Sequence, residues 1–380
     1  MAGSAGNAPT WRSSFPAMGT RVDIIGWGGN GMAIVNAVVG VVARHEDMWS
    51  VFWPSSEVSR LNAAVRDAAI GDGASRCGAD SAHGGPGLVV SEETDRLLRD
   101  ALALAEATGG TFNPLIGPLV AAWDVKAMRA AYVAGVPLPP APAADAVEAA
   151  SRASSWGLLS RVGEQRWAMG VPAESVGGVD VASPRLDLGG IAKGYTADAC
   201  RDLAVSMGAR GVLVSVGTSS VSVFGTRADG SSWRAGLRDP HGGPTSVAGV
   251  VELPAGGMSS LSTSGDNLGP LGRVGVGCAA ERAAGSTSDR RARETSRETP
   301  GGGGRIFDHH IIDPRMGYPA RSGVRQVSVV ASSGVLAEAL STALLVDPSI
   351  DVPDVVARWA RVTGAPASAK VVGLVRAAQG

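Results

Sequence analysis

Residues 187–198 read "DLGGIAKGYTAD", with three glycines and one lysine ahead of a stretch of helical periodicity. Glycines let backbone N–H groups approach a phosphate closely, and Lys193 would add a point charge beside it. We expect a helix to begin near Thr196, and its positive end would point to the same place. A Walker A loop is excluded, because its lysine follows the last glycine, whereas Lys193 precedes Gly194. A strand-to-helix turn with a solvated lysine explains the residues equally well.

The composition is that of a folded chain with a small-molecule or protein partner. The chain has 380 residues, 44% of them hydrophobic, a formal net charge of -1 and a pI near 6.5. This charge balance argues against nucleic acid as a partner, because phosphate binding needs concentrated basic surface. The three cysteines form no CxxC pair, which fits a reducing compartment. No signal peptide, lipobox or membrane span is evident, so we expect a cytoplasmic protein.

Hydrophobic periodicity predicts several elements around this stretch. A strand is predicted at 21–25, paired strands at 212–225, and helices at 32–50, 91–110 (with Ser91 as N-cap) and 334–346. Residues 136–143 are proline-rich and predict a connector, and loop insertions are predicted at about 66–88 and 267–306, the latter disordered. Helices and strands alternate without a steady βαβ rhythm, which predicts an α+β fold.

A second glycine cluster, "GWGGNG" at 26–31, formally satisfies the dinucleotide fingerprint between a predicted strand and a predicted helix. A Rossmann unit also needs a second apolar strand that ends in an acid about 20 residues further on. The corresponding residues, "EDMWSVFWPSSEVSRLN", are aromatic, polar and interrupted by proline. We therefore favour a hairpin or loop over a dinucleotide-binding oxidoreductase.

The segment "AEALSTA" places Glu338 and Thr342 four residues apart, on one face of a predicted helix. A carboxylate and a hydroxyl so placed offer two hard oxygens to magnesium or calcium. The alternative is an exposed glutamate beside a threonine that bonds back to its own helix. The helix is otherwise apolar, so Glu338 is expected to lie against the core, where an unpaired charge is costly.

A further segment, "HHIIDPRMGYP" at 309–319, combines two histidines with turn residues. His310 could contact a ligand or support catalysis, with His309 facing the opposite side of a strand. A structural turn with one hydrogen-bonded histidine is the competing interpretation.

The order of the motifs indicates a family. In sequence come "AMGT" (17–20), "SEVSRLN" (56–62), "TFNPLIGPLVAAWD" (111–124), "DLGGIAKGYTAD", "HIIDPRMGYP" (310–319) and "AEALSTALLV" (337–346). This succession resembles the ApbE-type FAD:protein FMN transferases from residue 17 to about 348. The resemblance implies an ApbE-like fold, with mixed sheets packed with helices in one compact catalytic unit. It divides the chain into a tail (1–16), this domain (17–350) and a C-terminal segment (351–380).

The resemblance also implies a reaction and a set of site residues. FAD would be cleaved at its pyrophosphate, FMN attached through a phosphoester bond to a threonine or serine of an acceptor flavoprotein, and AMP released, with Mg²⁺ as the metal. The family's catalytic positions correspond to Glu338, Thr342, His310 and Lys193, with Glu338 or His310 as the base. The implied Mg²⁺ ligands are the Ala192 and Ser341 carbonyls, the Glu338 carboxylate and the Thr342 hydroxyl. The implied FAD contacts are Met18, Phe52, Thr111, Phe112, Asn113, Gly189, Lys193, Tyr195, His310 and Ile312.

Several positions depart from the family pattern. Glu338, Asn113 and Phe52 stand where the family usually has Asp, Asp and Tyr, and Met316 replaces a usual threonine. The turn "SVGTSS" (215–220) has Thr218 in place of the second glycine of the family's turn. These departures leave two further possibilities open: an FAD pyrophosphatase that uses water as the acceptor, and a catalytically weak FAD-binding protein.

Overall fold

The structure, a computed structural model, describes residues 9–70, 87–134, 136–172, 182–242, 246–253, 258–265 and 310–376. The predicted insertion at 267–306 and His309 lie outside the described residues, as does 71–86 of the other predicted loop. That loop begins later than expected, because helix α2 continues to Ile70. The predicted division of the chain at 16 and 350 stays a prediction.

The described residues contain nine α-helices and fourteen strands. The helices are α1 (Gly31–Trp49), α2 (Glu57–Ile70), α3 (Glu92–Ala107), α4 (Gly117–Ala122), α5 (Val125–Ala134), α6 (Ala144–Ala153), α7 (Ala192–Ser206), α8 (Gly334–Val346) and α9 (Val352–Thr363). The strands are β1 (Thr10–Ala17), β2 (Thr20–Trp27), β3 (Leu88–Val89), β4 (Leu159–Gly163), β5 (Arg166–Met169), β6 (Gly211–Val216), β7 (Ser220–Gly225), β8 (Trp233–Arg238), β9 (Val247–Leu253), β10 (Met258–Gly265), β11 (Ile312–Asp313), β12 (Tyr318–Pro319), β13 (Val324–Ala331) and β14 (Ala369–Arg376). No helix in these ranges is long and apolar enough to cross a membrane.

Seven strands form the main sheet in the order β1-β2-β6-β7-β10-β13-β14, and each neighbouring pair is antiparallel. Helices α1, α7 and α8 pack on one face, where Ile24, Val214 and Ile34 share a buried cluster. The β8–β9 hairpin covers part of the other face, where Trp233 packs with Val223. The α+β class, the strand at 21–25 and the paired strands at 212–225 are confirmed.

A second group of elements extends the core beyond the sheet. Helices α2, α3, α8 and α9 and the β3-β5-β4 sheet contribute to one large apolar cluster, with Leu97, Trp167 and Leu340 fully buried or nearly so. Helix α3 begins as predicted, because the Ser91 hydroxyl accepts the Thr94 N–H and acidic residues fill the first turn.

The "GWGGNG" segment serves packing. A Cβ atom on Gly26 or on Gly31 would lie 2.4 Å from an atom of the Trp11 side chain, and the Trp11 indole donates to the Gly28 carbonyl at 2.9 Å. Trp11 therefore occupies the space that these glycines leave. The strand that carries the segment has antiparallel neighbours on both sides, so the segment does not open a parallel βαβ unit.

The expectation that α7 begins near Thr196 is wrong, because the helix begins at Ala192. Glycine is a poor helix former, and Ile191 supplies no side-chain cap, so the sequence marks no start there. The missing cap comes from Glu338, whose carboxylate accepts the Gly194 N–H.

Candidate functional site

The first turns of α7 and α8 touch at two glycines. A Cβ atom on Gly194 would lie 2.3 Å from the Gly334 carbonyl oxygen, and one on Gly334 would lie 2.4 Å from the Gly194 carbonyl oxygen. Both distances are far below van der Waals contact, so only glycine permits this approach. The crossing brings the start of α7, where the Gly194 N–H bonds outside its own helix, against the side chains of α8.

Glu338 lies at this crossing and is 3% exposed. Its Oε2 accepts the Gly194 N–H at 2.8 Å, and its Oε1 accepts the Ser220 hydroxyl. Lys193 places its Nζ 3.6 Å from Oε1. Burial of a carboxylate without such partners would lower the free energy of unfolding by roughly several kcal/mol. The sequence-based expectation that Glu338 faces the core is confirmed.

Lys193 connects this carboxylate with the glycine-rich turn. Its Nζ donates to the Gly189 carbonyl at 2.5 Å, and its side chain is 25% exposed. Gly190 follows between two predicted site residues: a Cβ atom there would lie 3.6 Å from the Phe112 ring and 4.0 Å from the Thr342 Oγ1. The structure thus places "DLGGIAKG" between the "TFN" segment and helix α8.

The hydroxyls of α8 are held by serines of the sheet. Ser264 Oγ lies 2.8 Å from Ser341 Oγ and 3.0 Å from Thr342 Oγ1, and Ser262 Oγ lies 3.2 Å from Ser341 Oγ. Ser262 pairs across the strands with Ser220, the partner of Glu338. These serines escaped the sequence analysis, although their period-2 spacing in "MSSLSTSG" and "SVSVFG" marks one polar face on each strand.

The Ala192 carbonyl is oriented by a buried chain of hydrogen bonds. It accepts the Thr196 hydroxyl at 2.8 Å, and His45 Nδ1 lies 2.9 Å from that hydroxyl oxygen. Since Thr196 donates its only proton to Ala192, the network assigns the Nδ1 proton to His45. Desolvation lowers the pKa of His45 to about 4, and nearby Glu93 opposes that shift.

A second buried acid lies one turn along α7. Asp198 accepts hydrogen bonds from Arg201, Ser222 and Ser260, and from the backbone N–H of Gly334. Desolvation raises the pKa of Asp198, and Arg201 opposes that shift. Asp198 was assigned no role from the sequence, and its local signal is an acid three residues before Arg201 on one face of the helix.

Three predicted FAD contacts form a buried segment before α4. Asn113 donates from Nδ2 to the Ser154 carbonyl at 2.6 Å and accepts the Leu115 N–H at 2.8 Å, so its amide fixes the backbone. Thr111 and Phe112 are 2% and 4% exposed. Of the three, Phe112 lies beside the glycine-rich turn, since its ring would be 3.6 Å from a Cβ atom on Gly190.

Four more of the predicted FAD contacts lie outside this buried segment. Phe52 is 76% exposed and borders a cavity of about 710 Å³ that is lined mostly by small apolar residues. Met18 has φ 51° in the β1–β2 turn, and Tyr195 packs edge-on against Trp49, with burial raising the pKa of Tyr195. Ile312 is buried in the cluster around α4. These four side chains thus lie in four different surroundings: a cavity rim, a turn, an aromatic pair and a packed cluster.

The implied Mg²⁺ ligands fit a hard cation by their chemistry. They comprise one carboxylate, one hydroxyl and two backbone carbonyls, all oxygen donors of the kind that Mg²⁺ prefers. No group of three or more His, Cys, Asp or Glu suited to a metal occurs among the described residues. The Lys193 ammonium beside Glu338 shows that this carboxylate already faces positive charge.

Comparison with known proteins identifies relatives of this chain. The sequence matches the profile of the ApbE family over residues 18–276 and 283–363. It is 32% identical over 267 residues to a FAD:protein FMN transferase of Treponema pallidum, covering 68% of this chain and 61% of that protein. It is 28% identical over 328 residues to one of Rhodobacter capsulatus, covering 85% of this chain and 48% of that protein. The chain thus spans between about half and three-fifths of these curated relatives.

Solved structures share the fold. The ApbE protein of Thermotoga maritima aligns with a TM-score of 0.65 at 24% identity, over 97% of each chain. The flavin transferase ApbE of Vibrio cholerae aligns with a TM-score of 0.62 at 20% identity, over 98% of each chain. These likenesses confirm the expected ApbE-like fold.

Proposed function

The chain belongs to the ApbE family, and we propose that it is an FAD:protein FMN transferase. The names of the relatives support this activity, and the observation in this chain that carries it is the contact between Lys193, Glu338 and the first turn of α7. A lysine, a helix N-terminus and a glycine-rich turn meet there, which is an arrangement suited to a pyrophosphate.

The proposed reaction is a displacement at phosphorus. A hydroxyl oxygen of an acceptor threonine or serine bonds to the FMN phosphorus, the pyrophosphate bond to AMP breaks, and the hydroxyl proton leaves. Such a step requires in-line positioning and neutralisation of charge on the phosphate oxygens. Lys193 supplies positive charge from one side, and the N-terminal end of the α7 dipole supplies partial positive charge from another.

The proposed magnesium ligands are the Ala192 and Ser341 carbonyls, the Glu338 carboxylate and the Thr342 hydroxyl. When bound there, the ion would neutralise pyrophosphate charge. The protein's own contribution is orientation: Thr196 holds the Ala192 carbonyl, Ser264 holds Thr342, and Ser220 holds Glu338. Glu338 is a poor general base in this setting, because both its oxygens already accept hydrogen bonds.

The cavity beside Phe52 is the proposed place for a ring system of FAD. Its walls combine alanines and prolines with Asn62 and Arg185, a lining that suits a flat ring with few polar groups. Asn62 exchanges two hydrogen bonds with the Leu186 backbone, at 2.7 and 3.2 Å, immediately before the glycine-rich turn. The cavity and the proposed pyrophosphate site are therefore neighbours along the chain.

The test uses an acceptor flavoprotein that carries a target threonine. The chain, FAD and MgCl₂ are incubated with this acceptor, and its intact mass is measured by mass spectrometry. We expect an FMN-sized gain in mass that is absent with a chelator and absent from an acceptor whose threonine is replaced by alanine. AMP formed without any gain in acceptor mass would identify a pyrophosphatase, and FAD bound without either product would refute both enzymatic functions.

A further inference from the structure

Helices α7 and α8 cap each other. The Gly194 N–H, in the first turn of α7, donates to Glu338 of α8 at 2.8 Å. The Gly334 N–H, at the start of α8, donates to Asp198 of α7 at 2.6 Å. Each acid stands four residues after the glycine of its own helix. The same contact is therefore made twice, once from each helix to the other.

Asp198 is also anchored to the sheet beneath the helices. Its Oδ1 accepts the Ser222 hydroxyl at 2.5 Å and the Ser260 hydroxyl at 2.6 Å, and Arg201 donates to the same oxygen at 2.9 Å. Ser222 and Ser260 are cross-strand partners at the centre of the main sheet. The other oxygen, Oδ2, is the one that holds the start of α8.

We infer that Asp198 is a positioning residue of the proposed transferase site: it fixes the start of α8, and thereby the place of the Glu338 carboxylate, relative to α7 and the sheet. The inference rests on the proposed function for the role of Glu338. Glu338 lies one turn beyond Gly334, the residue at which α8 meets Gly194 of α7. Loss of the Asp198 contact frees that turn to move, and Glu338 moves with it.

The coupling has a consequence for α7. Ile191 provides no side-chain cap, so the first turn of α7 depends on Glu338. Removing Asp198 should therefore loosen two separate segments: the start of α8, which loses its acceptor directly, and the start of α7, which loses Glu338 indirectly. A purely local structural role would loosen the start of α8 alone.

Amide hydrogen exchange, read by mass spectrometry on peptides that cover 189–197 and 332–339, measures both segments without FAD or metal. In Asp198→Ala we expect exchange about tenfold faster at both helix starts, the scale of one lost hydrogen bond to a charged group. Glu338→Ala gives the reference acceleration for α7. The matched control is Asp95→Ala, since Asp95 is a buried aspartate on α3 that is bound by Arg161 and Trp167; it should leave both segments unchanged.

A milder variant covers the case in which Asp198→Ala does not fold. Asp198→Asn keeps the shape and one acceptor oxygen, and Arg201 keeps its bond to Asp202 at 2.8 Å. We expect Asp198→Asn to speed exchange at both helix starts by a smaller factor and to lower kcat with little change in the KM for FAD. Faster exchange confined to 332–339, with 189–197 unchanged, would overturn the inference. Absence of FMN transfer by the natural chain would refute the proposed function and leave the exchange result standing.

Discussion

Gly194→Ala tests the helix crossing most sharply. The new Cβ would lie 2.3 Å from the Gly334 carbonyl oxygen, whereas ordinary contact begins at 3.4 Å, so α8 must retreat by about 1 Å (3.4 − 2.3). Overpacking of this kind costs about 1–3 kcal/mol, and the better helix propensity of alanine returns about 1 kcal/mol. We therefore expect a loss of at most about 2 kcal/mol in the free energy of unfolding, measured with urea.

The same retreat should have a much larger effect on activity. A shift of about 1 Å would stretch the 2.8 Å bond between Gly194 and Glu338 beyond hydrogen-bond range. Misplacement of a site by about 1 Å can cost about 100-fold in rate, so we expect kcat/KM for FMN transfer to fall by that order.

The control for this variant is Gly40→Ala. Gly40 lies on the exposed side of α1, and a Cβ atom there would have no neighbour within 4 Å. It should stabilise the fold by about 0.5–1 kcal/mol and leave the transfer rate unchanged. If Gly194→Ala retained natural kcat/KM while Gly40→Ala behaved as expected, the crossing would not set the geometry of the site, and our reasoning would fail.

Three further predictions concern single side chains. Lys193→Met, which keeps the apolar stem and removes the charge, should raise the KM for FAD about tenfold in a chain whose urea curve shows that it is folded; an unchanged KM would remove Lys193 from the phosphate site. His45→Gln tests burial: the folded pKa of about 4 lies below the unfolded 6.5, so His45 should cost about 3 kcal/mol of stability as the pH falls through that window. The pKa of Asp100 is raised to about 6, so Asp100 changes the stability in the opposite direction over the same pH range. The free energy of unfolding is therefore measured against pH for the natural chain and for His45→Gln, and two parallel curves would contradict the prediction for His45. Gly31→Ala, which brings a Cβ atom within 2.4 Å of Trp11, should destabilise the chain by about 1–3 kcal/mol without altering the KM for FAD; the reverse pattern would favour a nucleotide site.

Local signals in the sequence were sufficient for much of the fold. Ser91 followed by three acids marks the start of α3, and the valines of β6 recur with period 2, which places them on one face of the strand. Such features depend on neighbours a few residues away, and sequence reasoning captures them.

The start of α7 shows what sequence reasoning could not reach. Its cap comes from Glu338, 144 residues further along the chain, and its Gly194 is required by contact with Gly334 rather than by backbone conformation. Neither feature leaves a trace within the local window. The helix start was therefore placed four residues too late.

In the candidate site, too, local signals were predicted and contacts between distant residues were not. The order of the motifs indicated Lys193, Glu338 and Thr342 as residues of one site. The structure adds the groups that surround them: Ser220, Ser264 and the glycine-rich turn. Asp198 was missed because its importance lies in three partners from three other elements. The roles of Phe52 and Ile312 as FAD contacts stay predictions: Phe52 borders the cavity proposed for a ring of FAD, and Ile312 lies in a packed cluster.

The central claim is that this chain joins FMN to protein with release of AMP. The most direct measurement quantifies, in one reaction containing FAD and the acceptor flavoprotein, both free AMP and acceptor that retains flavin after denaturation. We expect one AMP for each modified acceptor with the natural chain, and neither product with Glu338→Ala. AMP in excess of modified acceptor, or full modification by Glu338→Ala, would contradict the account.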